Sequence, residues 1–145
     1  MKRGTPEHPK MLLLASTLEI NNYAAVGLME CLWHFTARYA PQGDIGKYTD
    51  EIIAHKIGWD GDAEQLIQAL LECGWLDQVN GHRLLVHDWH DHSDDAADKY
   101  LIRHNLIYAN GFLPRRGGRV EKCLDTGGQN EGVVSGKVRT RGGAK

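Results

Sequence analysis

The order of structure-forming signals between residues 44 and 89 constrains the fold more than any other feature of the sequence. Two short stretches with apolar residues at helical spacing are separated by a four-residue turn, residues 58–61. Gly74 follows the second stretch, where a helix is expected to end. Strand-like runs then flank Asn80-Gly81, a dipeptide that is a strong signal for a tight hairpin. The segment therefore predicts a helix, a turn, a second helix and an antiparallel hairpin.

Caps and apolar stripes set the boundaries inside this segment. A brief strand is expected at residues 44–48, after which Thr49 or Asp50 caps the first helix. The apolar positions of that helix are Ile52, Ile53, Ala54 and Ile57. Asp62 caps the second helix. The buried stripe of the second helix consists of Leu66, Ile67, Leu70 and Leu71, and the hairpin strands are residues 75–79 and 83–87.

Further helices are expected on both sides of the segment, at residues 9–18, 23–39 and 93–109, the last of them ended by Gly111. The predicted fold class is therefore mainly α with a small β-hairpin, an α+β protein. The helix at residues 23–39 is apolar nearly all round, so its aromatic side chains either pack in the core or contribute to an interface. These aromatic residues are Trp33, Phe35 and Tyr39.

The segment resembles the winged helix-turn-helix fold in the order of its elements and in its local amino-acid sequence. The string YTDEIIAHKIGW at residues 48–59 is similar to the positioning helix and turn of such domains. LIQALLECGWLD at residues 66–77 is similar to the end of their recognition helix entering the first wing strand. The resemblance implies a winged-helix domain at residues 8–112 with its core at residues 44–89 and with additional N- and C-terminal helices.

A second resemblance concerns the string HDWHDHSDDAADKYLIRHN at residues 87–105. It is similar to a segment that follows a winged helix near the N-terminus of phage- and prophage-type proteins. These are either replication proteins that are replisome organiser-like or regulatory proteins. The resemblance implies a protein associated with DNA that serves replication or transcription control and acts by binding.

Charge is distributed unevenly along the chain. Residues 1–113 carry nine Lys and Arg against sixteen Asp and Glu, a balance of −7, whereas residues 114–145 carry eight against three, a balance of +5. The tail is also rich in glycine and poor in large apolar residues, so residues 113–145 are predicted to be disordered. A basic tail would add affinity for nucleic acid that does not depend on sequence.

The second helix of such a fold usually enters the major groove of DNA, and here Gln65 and Gln68 could read adenine edges. Its acidic residues Asp62, Glu64 and Glu72 would face phosphates, and no Lys or Arg lies between positions 56 and 83, so the chain departs from a strong DNA-binding pattern. The remaining candidates for DNA contact are Lys47, Lys56, His82, Arg83, Lys99, Arg103, Arg115 and Arg116.

Two other functions stay open. The same acidity favours a protein–protein interaction or oligomerisation module that does not bind DNA firmly. A metal-dependent hydrolase is the remote alternative, because histidines and carboxylates crowd residues 87–95. The metal-ligand candidates there are His87, Asp88, His90 and Asp91. Ligands at consecutive positions point in divergent directions, so we expect a polar corner between the hairpin and the next helix, and no metal.

The sequence offers no other sign of catalysis. It contains no Gly-x-Ser-x-Gly motif, no phosphate-binding glycine loop and no Cys-x-x-Cys pair. We therefore predict a protein that is not an enzyme and takes no cofactor. No apolar run approaches the length of a membrane span, and the basic N-terminus lacks a signal-peptide cleavage site, so a cytoplasmic location without membrane contact is expected.

Overall fold

The structure is a computed structural model that describes residues 2–79 and 81–116 and the backbone of residues 119–122. The described part is an α+β protein with six helices and two antiparallel hairpins. The helices are α1 Pro9–Thr17, α2 Asn22–Tyr39, α3 Asp50–Ile57, α4 Ala63–Glu72, α5 Trp89–His92 and α6 Asp95–Arg103. The strands are β1 Leu76–Val79, β2 His82–Val86, β3 Phe112–Arg116 and β4 Arg119–Lys122. No helix among these residues is long and apolar enough to cross a bilayer.

The predicted caps of α3 and α4 are confirmed. The Thr49 hydroxyl accepts a hydrogen bond from the Ile52 amide at 3.3 Å, which satisfies an amide at the start of α3 that has no partner within the helix. The Asp62 carboxylate accepts one from the Gln65 amide at 2.7 Å and does the same for α4. Gly58 ends α3 in the left-handed region, with φ of +79°. The two helices pack against each other, and α3 also packs on α2.

The long helix α2 contributes two of its aromatic residues, Trp33 and Phe35, to the core. Asn21 caps it by accepting a hydrogen bond from the Ala24 amide at 2.8 Å. Trp33 and Phe35 are each only 5% exposed, so these two side chains pack inside the domain. Tyr39, in the last turn, is 38% exposed and forms part of the surface.

The predicted hairpin is confirmed, since β1 and β2 are antiparallel and joined by two residues, of which Asn80 lies outside the described part. The strand expected at residues 44–48 shortens to one bridge between Asp44 and Leu85. It is held by the Ile45 amide, which donates to the Leu84 carbonyl at 3.1 Å. The chain then turns, because the Tyr48 amide donates to the Ile45 carbonyl instead of extending the pairing.

The helix predicted at residues 93–109 ends earlier, at Arg103. The Asn105 and Leu106 amides donate back to the Ile102 and Leu101 carbonyls, and Asn105 takes a φ of +54°. This pair of bonds is the Schellman motif, which closes a helix when one residue enters the left-handed region. The sequence analysis also missed the short helix α5, which lies inside the predicted polar corner.

The predicted start of the disordered tail is wrong. Residues 113–116 belong to β3 and residues 119–122 to β4, because the chain after residue 112 folds back onto α6. Composition alone suggested disorder, yet Pro114 is buried here. The domain therefore extends past the predicted boundary at residue 112, and the part of the predicted tail from residue 123 onward lies outside the described residues.

A buried polar network fixes β3 to α6. Asp98, only 3% exposed, accepts hydrogen bonds from the Tyr108 hydroxyl at 2.6 Å, the Arg115 amide at 3.0 Å and the Arg115 Nε at 2.8 Å. The Tyr108 oxygen also lies 2.6 Å from the Ser93 hydroxyl. Burial, followed by the hydrogen bond to Asp98, raises the pKa of Tyr108 above its ordinary value, so the phenol stays protonated and donates.

Candidate nucleic-acid interface

Three cationic side chains surround two tyrosine rings where the end of α2 meets α3. The Arg38 guanidinium carbon and the Lys56 ammonium nitrogen each lie 5.5 Å from the centre of the Tyr39 ring. The Lys47 ammonium nitrogen lies 5.3 Å from the centre of the Tyr48 ring. We call these five residues the Tyr39 cluster. All three cations are exposed, so they can contact a ligand in solvent.

Local packing holds the two rings in place. Buried Phe35 lies one helical turn before Tyr39, with its ring centre 5.4 Å from that of Tyr39 and 5.3 Å from that of Tyr48. The Tyr48 hydroxyl donates a hydrogen bond to the Tyr39 carbonyl at 3.2 Å. The rings are thus anchored to the core on one side, while the flexible Lys and Arg side chains lie on the solvent side.

This arrangement has the two chemical properties that nucleic acids require. Lys and Arg contacts to phosphate supply most of the affinity that does not depend on sequence. A cation above an exposed aromatic ring is worth only about 0.5–1 kcal/mol, so Arg38 and Lys56 remain available to a phosphate. An accessible ring such as that of Tyr39 also offers a surface for base stacking.

Lys47 and Lys56 were predicted from the sequence as DNA contacts, Tyr39 was predicted only as an aromatic residue of the core or of an interface, and Arg38 was missed. The signal was present, because Arg38-Tyr39 ends the strongest predicted helix, and Lys47-Tyr48 repeats the same basic–aromatic order nine residues later. What the sequence could not show was that packing of α2 on α3 brings Lys56 to the same ring.

The outward side of α4 is acidic, as the sequence indicated. Gln65 and Gln68 are exposed, and the Gln68 side-chain amide donates to the Glu72 carboxylate at 3.0 Å. The exposed acidic residues on or next to this helix are Asp62, Glu64 and Glu72. Gln68 would have to exchange its bond to Glu72 for any bond to a base.

The side chains of the two hairpin candidates, His82 and Arg83, lie at the surface but are held by contacts within the chain. His82 Nδ1 lies 2.8 Å from the Asp44 carboxylate. The Arg83 guanidinium donates to the Asp50 carboxylate at 2.5 Å, to the Gly46 carbonyl at 3.2 Å and to the Tyr48 carbonyl. Arg83 therefore joins β2 to the loop that carries Lys47 and to the first turn of α3.

Replacing Arg83 with lysine is expected to lower the free energy of unfolding by about 1–2 kcal/mol, even though the charge is kept. A lysine ammonium cannot match the fork that reaches Asp50, Gly46 and Tyr48 together. Urea denaturation followed by tryptophan fluorescence measures the change, and Lys99→Arg on exposed α6 is the control. Unchanged stability of Arg83→Lys would show that the guanidinium contacts do not hold the hairpin.

The other predicted cations are spread over separate elements. Lys99 and Arg103 are exposed on α6, and Arg116 is exposed at the end of β3. Arg115 forms an ion pair with Asp98, which removes most of its donors from solvent. The Tyr39 cluster thus includes two of the predicted DNA contacts, and Arg115 is part of the buried network instead.

The four metal-ligand candidates form two separate pairs, with His87 Nε2 3.3 Å from the Asp88 carboxylate and His90 Nε2 4.0 Å from the Asp91 carboxylate. His87 Nδ1 lies 2.8 Å from the Asp77 carboxylate on β1. The His90 ring stacks on Phe112, with 3.7 Å between ring centres, and burial lowers the pKa of His90. Within residues 2–79 and 81–116, no three His, Cys, Asp or Glu side chains come together as metal ligands.

Comparison of the chain with protein-family models, with curated proteins and with solved structures finds no match.

Proposed function

We propose that this chain is a winged-helix protein associated with DNA, of the phage or prophage replication or transcription-control type, and that it acts in the cytoplasm by binding and without catalysis. The order α3, turn, α4 and hairpin supports the winged-helix assignment. So does the pairing of residues 43–46 with β2, in which the Val86 amide donates to the Gly43 carbonyl at 2.9 Å. This pairing adds a third short stretch of backbone to the hairpin.

The observation that carries the DNA assignment is the Tyr39 cluster. It concentrates exposed Arg38, Lys47 and Lys56 on one face of a domain whose overall balance is acidic. Because α4 presents carboxylates, we infer that phosphate contacts are made through the Tyr39 cluster, beside the helix pair. Binding then depends on the backbone charge of the nucleic acid more than on base reading by α4.

A salt series with the full chain and duplex DNA tests this proposal. Lys47→Ala with Lys56→Ala is expected to reduce the slope of log affinity against log salt by about 1 for each lysine. The affinity at about 100 mM salt is expected to fall by roughly tenfold or more, because counterion release is lost at two phosphates. Fluorescence anisotropy of labelled duplex between about 50 and 200 mM salt gives both values.

The matched control removes two charges elsewhere, as Lys2→Ala with Arg3→Ala. Both residues are exposed, and the Lys2 ammonium nitrogen lies 3.7 Å from the Asp91 carboxylate, away from the Tyr39 cluster. This control is expected to change the slope little. Equal loss in both double variants would show that net charge, and not the Tyr39 cluster, governs binding. Absence of binding at about 50 mM salt would overturn the proposal.

An interaction or oligomerisation module is the second candidate, favoured by the acidic side of α4 and by exposed apolar residues on α1. Leu12 and Leu13 are each 52% exposed. Self-association that persists at high salt in sedimentation velocity, together with absence of DNA binding, would support this candidate instead.

A further inference from the structure

A groove between the C-terminal half of α2 and the start of α6 continues one side of the Tyr39 cluster. It has a volume of about 500 Å³. Its aromatic lining is Tyr39 from α2 and Tyr100 from α6, which are 38% and 44% exposed. Arg38 and Lys47 line the same groove. Two accessible rings and two permanent cations therefore share one concave surface.

Small side chains keep this groove open, since Ala37, Ala96 and Ala97 also line it. Asp94 is the acidic lining residue, and its carboxylate is already used as the cap of α6, where it accepts a hydrogen bond from the Ala97 amide at 2.8 Å. The Tyr100 ring is supported on one side by His104, with 4.3 Å between ring centres. The groove thus combines open space, flat aromatic surfaces and positive charge at its edge.

We propose that the α2–α6 groove binds single-stranded nucleic acid, with unstacked bases placed on Tyr39 and Tyr100 and phosphates beside Arg38 and Lys47. This inference rests on the proposed function and specifies its ligand. Aromatic platforms beside a cationic track are the pattern by which proteins hold single strands without sequence preference, because every base has a flat face.

The shape of the groove favours a single strand over a duplex. Duplex DNA keeps its bases stacked inside and offers grooves that receive a protruding helix or strand pair. A concave site cannot reach stacked bases, whereas an unpaired base can turn into it. The helix that would enter a duplex groove in this fold is α4, and its exposed charged residues, Glu64 and Glu72, are acidic. The basic groove and the acidic side of α4 thus point to the same ligand.

The test compares the full chain on a labelled oligothymidylate of about 16 nucleotides and on a duplex of the same length. The wild-type chain is expected to bind the single strand more tightly at equal salt. Tyr100→Ala is expected to weaken single-strand binding at least about fivefold, because stacking on that ring is lost. Tyr100→Phe keeps the ring and is expected to bind as wild type, which separates stacking from any effect of the hydroxyl.

Tyr23→Ala is the matched control, because Tyr23 is a tyrosine on α2 that is 89% exposed and does not line the groove. Equal effects of Tyr23→Ala and Tyr100→Ala would overturn the inference. So would duplex binding that matches or exceeds single-strand binding, although the proposed DNA association would then stand. Failure to bind either probe would overturn both the inference and the proposed DNA association. A parallel measurement with oligouridylate distinguishes RNA binding from DNA binding.

Discussion

Replacing Asp98 with alanine is expected to lower the free energy of unfolding by about 3–5 kcal/mol, because a buried carboxylate that accepts three hydrogen bonds is removed from its ion pair with partly buried Arg115. The substitution removes the acceptor shared by Tyr108 and Arg115. The Arg115 guanidinium would then retain only its bonds to Ser93. An unpaired charge next to a buried phenol is more costly than the loss of the hydrogen bonds alone.

Urea denaturation measures this loss, and Asp95→Ala provides the control on the same helix. Asp95 is exposed in the first turn of α6, where its charge contributes about 0.3–1 kcal/mol through the helix dipole. The midpoint for Asp98→Ala should therefore fall well below that for Asp95→Ala. Similar urea midpoints for the two variants would mean that water takes over the hydrogen bonds of Asp98 at little cost in stability.

Replacing Trp89 with alanine is expected to lower the free energy of unfolding by about 3–5 kcal/mol. Trp89 is 2% exposed, and its indole nitrogen donates to the Pro41 carbonyl at 2.9 Å. The ring also packs so closely on Gly43 that a Cβ there would lie 2.8 Å from Trp89 Cδ1. Truncation would leave a cavity beneath the loop that leads to Lys47.

Trp59→Ala is the control for Trp89→Ala, because it removes the same side chain from a partly exposed turn. Trp59 also donates its indole hydrogen, to the Asp62 carbonyl at 3.1 Å. The variants therefore differ chiefly in the apolar surface that becomes exposed. We expect the Trp59 variant to unfold at clearly higher urea concentration, and a reversed order would contradict the packing role of Trp89.

The local parts of the fold were predictable because their signals lie within a few residues. Thr49 and Asp62 each cap a helix through an amide three residues later, and Asn80-Gly81 specifies the hairpin turn. The missed parts depend on distant partners. Arg115 has the composition of a tail residue, and its place in the fold depends on a hydrogen bond to Asp98, seventeen residues earlier in the chain.

The candidate site also has a part that the sequence predicts and a part that depends on contacts between distant residues. Lys47 and Lys56 were predicted from charge, but the position of Lys56 over the Tyr39 ring follows from the packing of α2 on α3. Arg83 was predicted as a DNA contact from its position on the hairpin, whereas the structure gives its donors to Asp50 and nearby carbonyls. A charge count cannot distinguish an arginine whose donors form hydrogen bonds within the chain from one whose donors are free to contact a ligand.

The backbone pairing of residues 43–46 with β2 also has a consequence for solubility. Leu85 is bridged on one side by Asp77 and on the other by Asp44, so β2 is an inner strand of this small sheet and not an edge. β1 is left as an edge, but it is only four residues long and its register is irregular between Asp77 and Val79. Short, irregular edges are poor templates for intermolecular strand addition, so this region is protected against edge-to-edge aggregation.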